Sequence, residues 1–174
     1  LILSGVGLFV VLPLHPGRIC EIQQCINIDI AGDEVMVTPP EADALKMLTR
    51  LTAKFAPNGR EFVVTPFWPG AYAVMERKSP MWEIYALFSA DKKSQQAEIE
   101  RIKKSNPGYV LIIDAALDGH QDLRFRNSQP LINSYIVNKF SLATGQTLNS
   151  EYQLYISKQA VQYVNQPGRT HFEK

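Results

Sequence analysis

The sequence predicts an α/β fold: a Rossmann-like, mostly parallel sheet with flanking helices, preceded by an antiparallel hairpin. Three observations carry this. Helix-like and strand-like segments alternate from Pro39 to Ile156, the order expected when helices pack on a largely parallel sheet. Tyr109-Val-Leu-Ile-Ile113 is apolar at consecutive positions, as a strand covered on both faces must be. Arg60 to Arg77 forms a strand, a tight aromatic turn and a short helix in succession. At 174 residues, with 45% hydrophobic and 20% charged side chains, the chain has the size and composition of one globular domain. A net charge of +1 gives no electrostatic draw towards nucleic acid or an anionic membrane surface, and nucleic acid is excluded as a partner.

The chain opens on an apolar run, Leu1 to Leu14, shorter than the roughly 20 residues that cross a bilayer. It is either the outer end of a transmembrane helix or a buried first strand. Pro13, His15, Pro16, Gly17 and Arg18 resemble a polar exit from a membrane, which favours the helix. The organisation read from this is an apolar tether over 1–17, one α/β domain over 18–157 and a polar tail over 158–174.

Cys20 and Cys25 are the only cysteines. They stand in a segment that alternates like a strand, where residues five apart face opposite ways. A bridge therefore needs a break in the strand, and two buried free thiols are the simpler expectation. The three histidines, His15, His120 and His171, are scattered, so no metal-ligand spacing is present. Ile26, Ile28 and Ile30, then Val35-Met36-Val37, flank a glycine-bearing connection at Ala31-Gly32-Asp33, which predicts a hairpin.

Thr38-Pro39-Pro40-Glu41 combines an N-cap hydroxyl, prolines at a helix entrance and an acid three residues on. Behind it Ala44, Leu45, Leu48, Leu51 and Phe55 recur at helical spacing until Pro57-Asn58-Gly59. Phe62 to Thr65 reads as a buried strand ended by Pro66 and Pro69, and Ala71 to Met75 as a short helix with Arg77 and Lys78 at its basic end. Met81 to Phe88 is either a short strand or an irregular wall. Ser89 to Lys104 predicts a solvated surface helix whose apolar face is Ala97, Ile99 and Ile102. A helix is expected from about Ser128–Pro130 through Phe140, and an edge strand at Tyr152 to Ile156.

In open α/β sheets, ligands sit outside the carboxyl ends of the strands. That rim gathers Thr65, Phe67, Trp68 and Tyr72 after one strand and Asp114 and Asp118 after another, with Trp82 and Tyr85 nearby. Aromatic faces beside a few carboxylates suit a sugar, whose ring faces stack on indole and phenol while acids accept from its hydroxyls. The plainer structural role is that Phe67, Trp68 and Tyr72 cover the sheet end. Glu76-Arg77-Lys78 could hold a phosphate, or simply be solvated charges at a helix end. Asp114 has no partner carboxylate by spacing. Arg124 and Arg126 flank Phe125 in an extended segment and point one way, towards an anion or a surface ion pair. Gly5 and Gly7 lack the third glycine and following helix of a dinucleotide site, and no nucleophile stands beside a base, so no cofactor, no metal and no catalytic residue is assigned.

Taken together, Leu1–Leu14, Thr38-Pro-Pro-Glu41, Glu61-Phe-Val-Val-Thr-Pro66 with Tyr72 after it, Arg77-Lys-Ser-Pro80, the helix holding Gln96 to Lys104, and Asn106-Pro-Gly-Tyr-Val-Leu-Ile-Ile-Asp114 resemble the soluble C-terminal domain of polytopic membrane glycosyltransferases of the family 39, protein-mannosyltransferase or aminoarabinose-transferase type. The resemblance implies a parent that moves a sugar from a polyprenyl-phosphate carrier on the outer side of the bacterial inner membrane. It places this domain in the periplasm, with the membrane part of the same polypeptide, and a glycan or acceptor, as partners. Catalytic acids of such proteins lie in loops between membrane helices, so the resemblance carries none onto these residues. The other class open to the chain is a free-standing soluble binding module or small-molecule enzyme; membrane helices upstream in the open reading frame distinguish the two.

Overall fold

The structure, a computed structural model, describes residues 19–30, 32–143 and 151–158. The opening run Leu1–Leu14, the glycines within it and the tail from residue 159 onward lie outside the described residues. Among the described residues no helix is long and apolar enough to cross a membrane. The chain divides into two compact units, Leu1–Arg50 and Leu51–Lys174.

In the first unit a single helical turn, α1 (Ile19–Ile22), precedes strand β1 (Ile26–Ile30). That turn is the break a bridge required, and Cys20 and Cys25 are joined as a disulfide. The expectation of free thiols is therefore corrected: the strand starts only after Cys25, so the two side chains need not face opposite ways. β1 pairs antiparallel with β2 (Asp33–Val37) in the hairpin the sequence predicts, Ile30 standing opposite Asp33 and Gly32 at φ 92°. Helix α2 (Pro39–Phe55) follows, and its residues from Leu51 onward belong to the second unit. Its entrance is closed by Glu41, whose Oε2 accepts from both the Thr38 backbone N–H and the Thr38 hydroxyl at 2.9 Å.

The second unit is built on a four-stranded mixed sheet of order β3-β4-β6-β5, made of β3 (Val63–Thr65), β4 (Tyr109–Ile113), β6 (Tyr152–Ser157) and β5 (Phe140–Leu142). Only β3 and β4 are parallel, joined through helices α3 (Gly70–Val74) and α4 (Lys92–Ser105). After β4 the chain runs through a three-ten turn (Gln121–Leu123), α5 (Phe125–Ser128) and α6 (Pro130–Lys139) to β5. β6 then folds back antiparallel to both β4 and β5. The sheet is thus mixed rather than mostly parallel, because the last two strands form a hairpin-like pair and not a second crossover. β6 is interior, not at an edge; Tyr152 and Gln153 are half-buried, but Leu154 to Ser157 are covered.

β4 is buried along its whole length. On one face Val63, Val110, Ile112 and Tyr155 pack with Ile99 and Ile102 of α4, Phe125 of α5, and Ile132 and Ile136 of α6. On the other, Phe62 stacks between Tyr72 and Tyr109 at centroid distances of 5.3 and 5.1 Å. The Tyr109 hydroxyl shares a 2.8 Å hydrogen bond with that of Thr52, and burial raises the Tyr109 phenol above its ordinary pKa. Gly108 enters β4 so close to α2 that a Cβ there would lie 1.9 Å from the Phe55 carbonyl oxygen.

Candidate functional site

At the carboxyl end of the parallel pair, Thr65 stands opposite Ile112, and Asp114 follows two residues on with its side chain on the same face. Both are buried, 2% and 3% exposed. The Asp114 backbone N–H donates to the Glu151 carbonyl at 2.8 Å, which extends the ladder past the strand and fixes the carboxylate. Asp114 Oδ2 lies 2.6 Å from Arg126 Nη2 and 3.7 Å from Arg124 Nη1, and Arg124 also donates to the Asp114 carbonyl. Arg124 Nε donates to Gln121 Oε1 at 2.6 Å, so the arginine is braced from behind. The two arginines do face one way, but not on an extended segment: Phe125, fully buried, begins α5 between them. Their target is a buried carboxylate rather than a surface ion. Two atoms here have no partner, Asp114 Oδ1 and Thr65 Oγ1.

The rest of the sequence-derived rim divides. Tyr72 is structural: its hydroxyl accepts from the Val64 N–H at 2.9 Å and donates to the Val64 carbonyl at 3.1 Å, doing for the edge of β3 what a neighbouring strand would. Burial raises its pKa. Phe67 and Trp68 are half-buried, and the Trp68 carbonyl accepts from Ala71 to open α3. Arg77 closes that helix, donating to the Met75 and Glu76 carbonyls at 3.2 and 3.3 Å. Asp118 is an exposed turn residue at φ 50°, followed by Gly119 at φ 78°, in the turn that bridges Leu117 to His120.

Trp82 and Tyr85 belong to a second place. Met81 to Phe88 is an irregular wall, not a strand, and its backbone is bound by side chains of α4 and by Gln129, just ahead of α6. Glu98 accepts from the N–H groups of Trp82 at 3.0 Å and Glu83 at 3.4 Å, and Arg101 donates to it at 2.9 Å. Gln129 donates to the Phe88 carbonyl at 2.6 Å, and Gln95 to that of Ala90 at 2.7 Å. Gln95 also accepts from Leu131 N–H at 2.9 Å, joining α4 to the start of α6. With Met81, Ala86 and Leu87 buried as anchors, the wall presents Trp82 (82% exposed), Phe88 (73%) and Tyr85 (51%) to solvent. Beside it lies a cavity of about 340 Å³ lined by Trp82, Glu83, Glu98, Arg101, Gln129 and Ile132, among others.

The sequence missed Gln95, Glu98 and Gln129. α4 was expected to be a solvated helix with Ala97 on its apolar face. Its buried face is instead Gln95, Glu98, Ile99 and Ile102, and Ala97 is exposed. The signal was there in the spacing of 95, 98, 99 and 102, which is that of one helical face. Two polar residues at those positions disguised it.

Among the described residues no group of histidine, cysteine, aspartate and glutamate could hold a metal ion. Comparison of the chain with protein-family models, with curated proteins and with solved structures finds no match.

Proposed function

We propose that the chain is a non-catalytic extracytoplasmic domain of a membrane glycosyltransferase that uses a polyprenyl-phosphate-linked sugar, and that it contacts glycan or acceptor along the Trp82–Phe88 wall. The observation that carries this is the pair of exposed rings, Trp82 and Tyr85, held on a hydrogen-bonded backbone beside a cavity with acid, amide and guanidinium groups in its lining. Stacking faces with convergent polar groups are what a sugar ring requires, and a wall already fixed by Glu98 and Gln129 loses little entropy on binding. The Cys20–Cys25 bridge supports the periplasmic side of the inner membrane, since disulfides persist in oxidising compartments. The parallel β3–α4–β4 crossover supports the Rossmann-like reading for that half of the sheet. In this reading the membrane part of the same polypeptide supplies the catalytic acids.

Titration of the isotope-labelled protein with a series of neutral oligosaccharides tests it. The indole resonance of Trp82 is expected to move, and Trp82→Ala to weaken binding by about tenfold, the share one ring stack contributes. Silence at both Trp82 and Trp68 across the series removes the glycan contact.

A further inference from the structure

We infer that the carboxyl end of the β3–β4 pair is a second, separate binding site, for the hydroxyl groups of a sugar residue, built from Thr65, Asp114 and Arg126. It rests on the saccharide reading above but uses none of the wall. Its chemistry follows from three facts. Asp114 Oδ1 is a buried carboxylate oxygen without a donor, although the other oxygen of the same group is ion-paired. Thr65 Oγ1, on the same face of the adjacent strand, is buried and unpartnered as well. Buried polar atoms of this kind are costly to leave unsatisfied and are uncommon in folded proteins. Arg126, which closes the carboxylate, has a side chain 54% exposed, so the guanidinium is the solvent-side wall of the site.

The atoms specify the ligand. A carboxylate oxygen only accepts, so the ligand must donate to Asp114. A guanidinium only donates, so a neighbouring ligand atom must accept. A threonine hydroxyl can do either. Adjacent sugar hydroxyls satisfy all three at once, each being donor and acceptor. A bare anion would meet Arg126 but be repelled by Asp114, and an apolar ligand would leave both orphans as they are.

Thr65→Val keeps the shape and removes the unpartnered hydroxyl. In the free protein it is expected to melt at the same temperature or higher, because nothing is lost. In titrations with free glucose, mannose and galactose and with their 1-phosphates, the amides of Thr65 and Asp114 are expected to shift, and Thr65→Val and Asp114→Asn each to weaken binding by about tenfold. Equal binding of sugar and sugar phosphate assigns recognition to the hydroxyls. A response to the phosphates and to inorganic phosphate alone overturns it in favour of a simple anion contact. A lower melting temperature for Thr65→Val means that the hydroxyl already has a partner, such as a bound water, and also overturns it. Trp82 read in the same titration separates the two sites: shifts at Trp82 with none at Thr65 leave the wall standing and sink this site, and the reverse pattern does the opposite.

Discussion

Glu98 and Asp114 are both carboxylates buried in the second unit, each with an arginine against it, and they differ in what their remaining oxygen does. Both oxygens of Glu98 are used, on the Trp82 and Glu83 N–H groups, with Arg101 on one of them. Asp114 uses one oxygen on Arg126 and leaves the other bare. The first arrangement is what a fold needs to hold an irregular segment, whose backbone donors have no ladder to pair with. The second is under-satisfied as it stands, and its neighbour Thr65 is too. Burial alone therefore does not separate the two acids; the difference lies in the count of satisfied lone pairs.

The largest effect that tests this contrast is at Glu98. Glu98→Ala strips the partners from two backbone N–H groups in a part-buried site, and is expected to cost about 3 kcal/mol, in the range for hydrogen bonds to a charged acceptor. Denaturant melts give the total, and hydrogen exchange at Trp82 and Glu83 shows whether the wall comes loose first. Glu98→Gln, which keeps one acceptor oxygen, is expected to lie between that and wild type. If Glu98→Ala melts like wild type, the wall is held by Met81, Ala86 and Leu87 alone and the contrast with Asp114 collapses.

The next is Arg126→Ala. Removing one partner of a buried ion pair leaves the other uncompensated, which costs several kcal/mol in a closed interior. Here Arg126 is half-exposed and Arg124 stays 3.7 Å away, so the loss is expected to be smaller, about 2 kcal/mol by urea denaturation. Arg124→Ala is expected to do more than its 3.7 Å separation suggests, because Arg124 also donates to the Asp114 carbonyl and to Gln121. If each variant alone is silent, the carboxylate is hydrated and the buried pair is not a pair.

Elements whose hydrogen bonds are local were readable from the residues. Thr38-Pro-Pro-Glu41 announces a helix entrance closed by Glu41, and the hairpin follows from Ile26, Ile28 and Ile30 before Gly32. Tyr109 to Ile113 announces a strand covered on both sides. What was hidden depends on distant partners. β5 is three residues long and follows α6 without a glycine or proline between them, so Phe140 read as one more helical position. The place of β6 in the sheet depends on β5, so its clean alternation suggested an edge; in the fold the Tyr155 hydroxyl donates to Gln153 Oε1 at 3.2 Å. At the strand ends, Thr65 and Asp114 could be named from the rule that ligands gather there. That Arg126 closes Asp114 could not, since α5 begins at a buried Phe125 inside what looked like a polar loop. The wall shows the same limit from the other side: Trp82 and Tyr85 were visible as aromatic residues, but the acid that fixes them is sixteen positions from Trp82, on a helix that looked solvated.

A third carboxylate, fully exposed, sets the lower bound of the comparison. Asp91 caps α4, accepting from the Ser94 N–H at 2.8 Å and from the Ser94 hydroxyl at 3.1 Å. These bonds, the backbone one first, hold its carboxyl below the ordinary aspartate value. A group whose pKa falls on folding contributes stability above its unfolded pKa and loses it as the pH drops through the folded one. The cap is therefore fully present at neutral pH and fades below about pH 4. Asp91→Ala is expected to melt below wild type at pH 7 by less than either buried-site variant, with the difference closing in acid. Asp91→Asn, whose amide oxygen can still accept from Ser94 N–H, is expected to remove the pH dependence while keeping most of the cap. Thermal melts of the three proteins from neutral pH into acid read both effects, and a gap between wild type and Asp91→Ala that persists unchanged into acid would show that the carboxylate charge plays no part at this helix end.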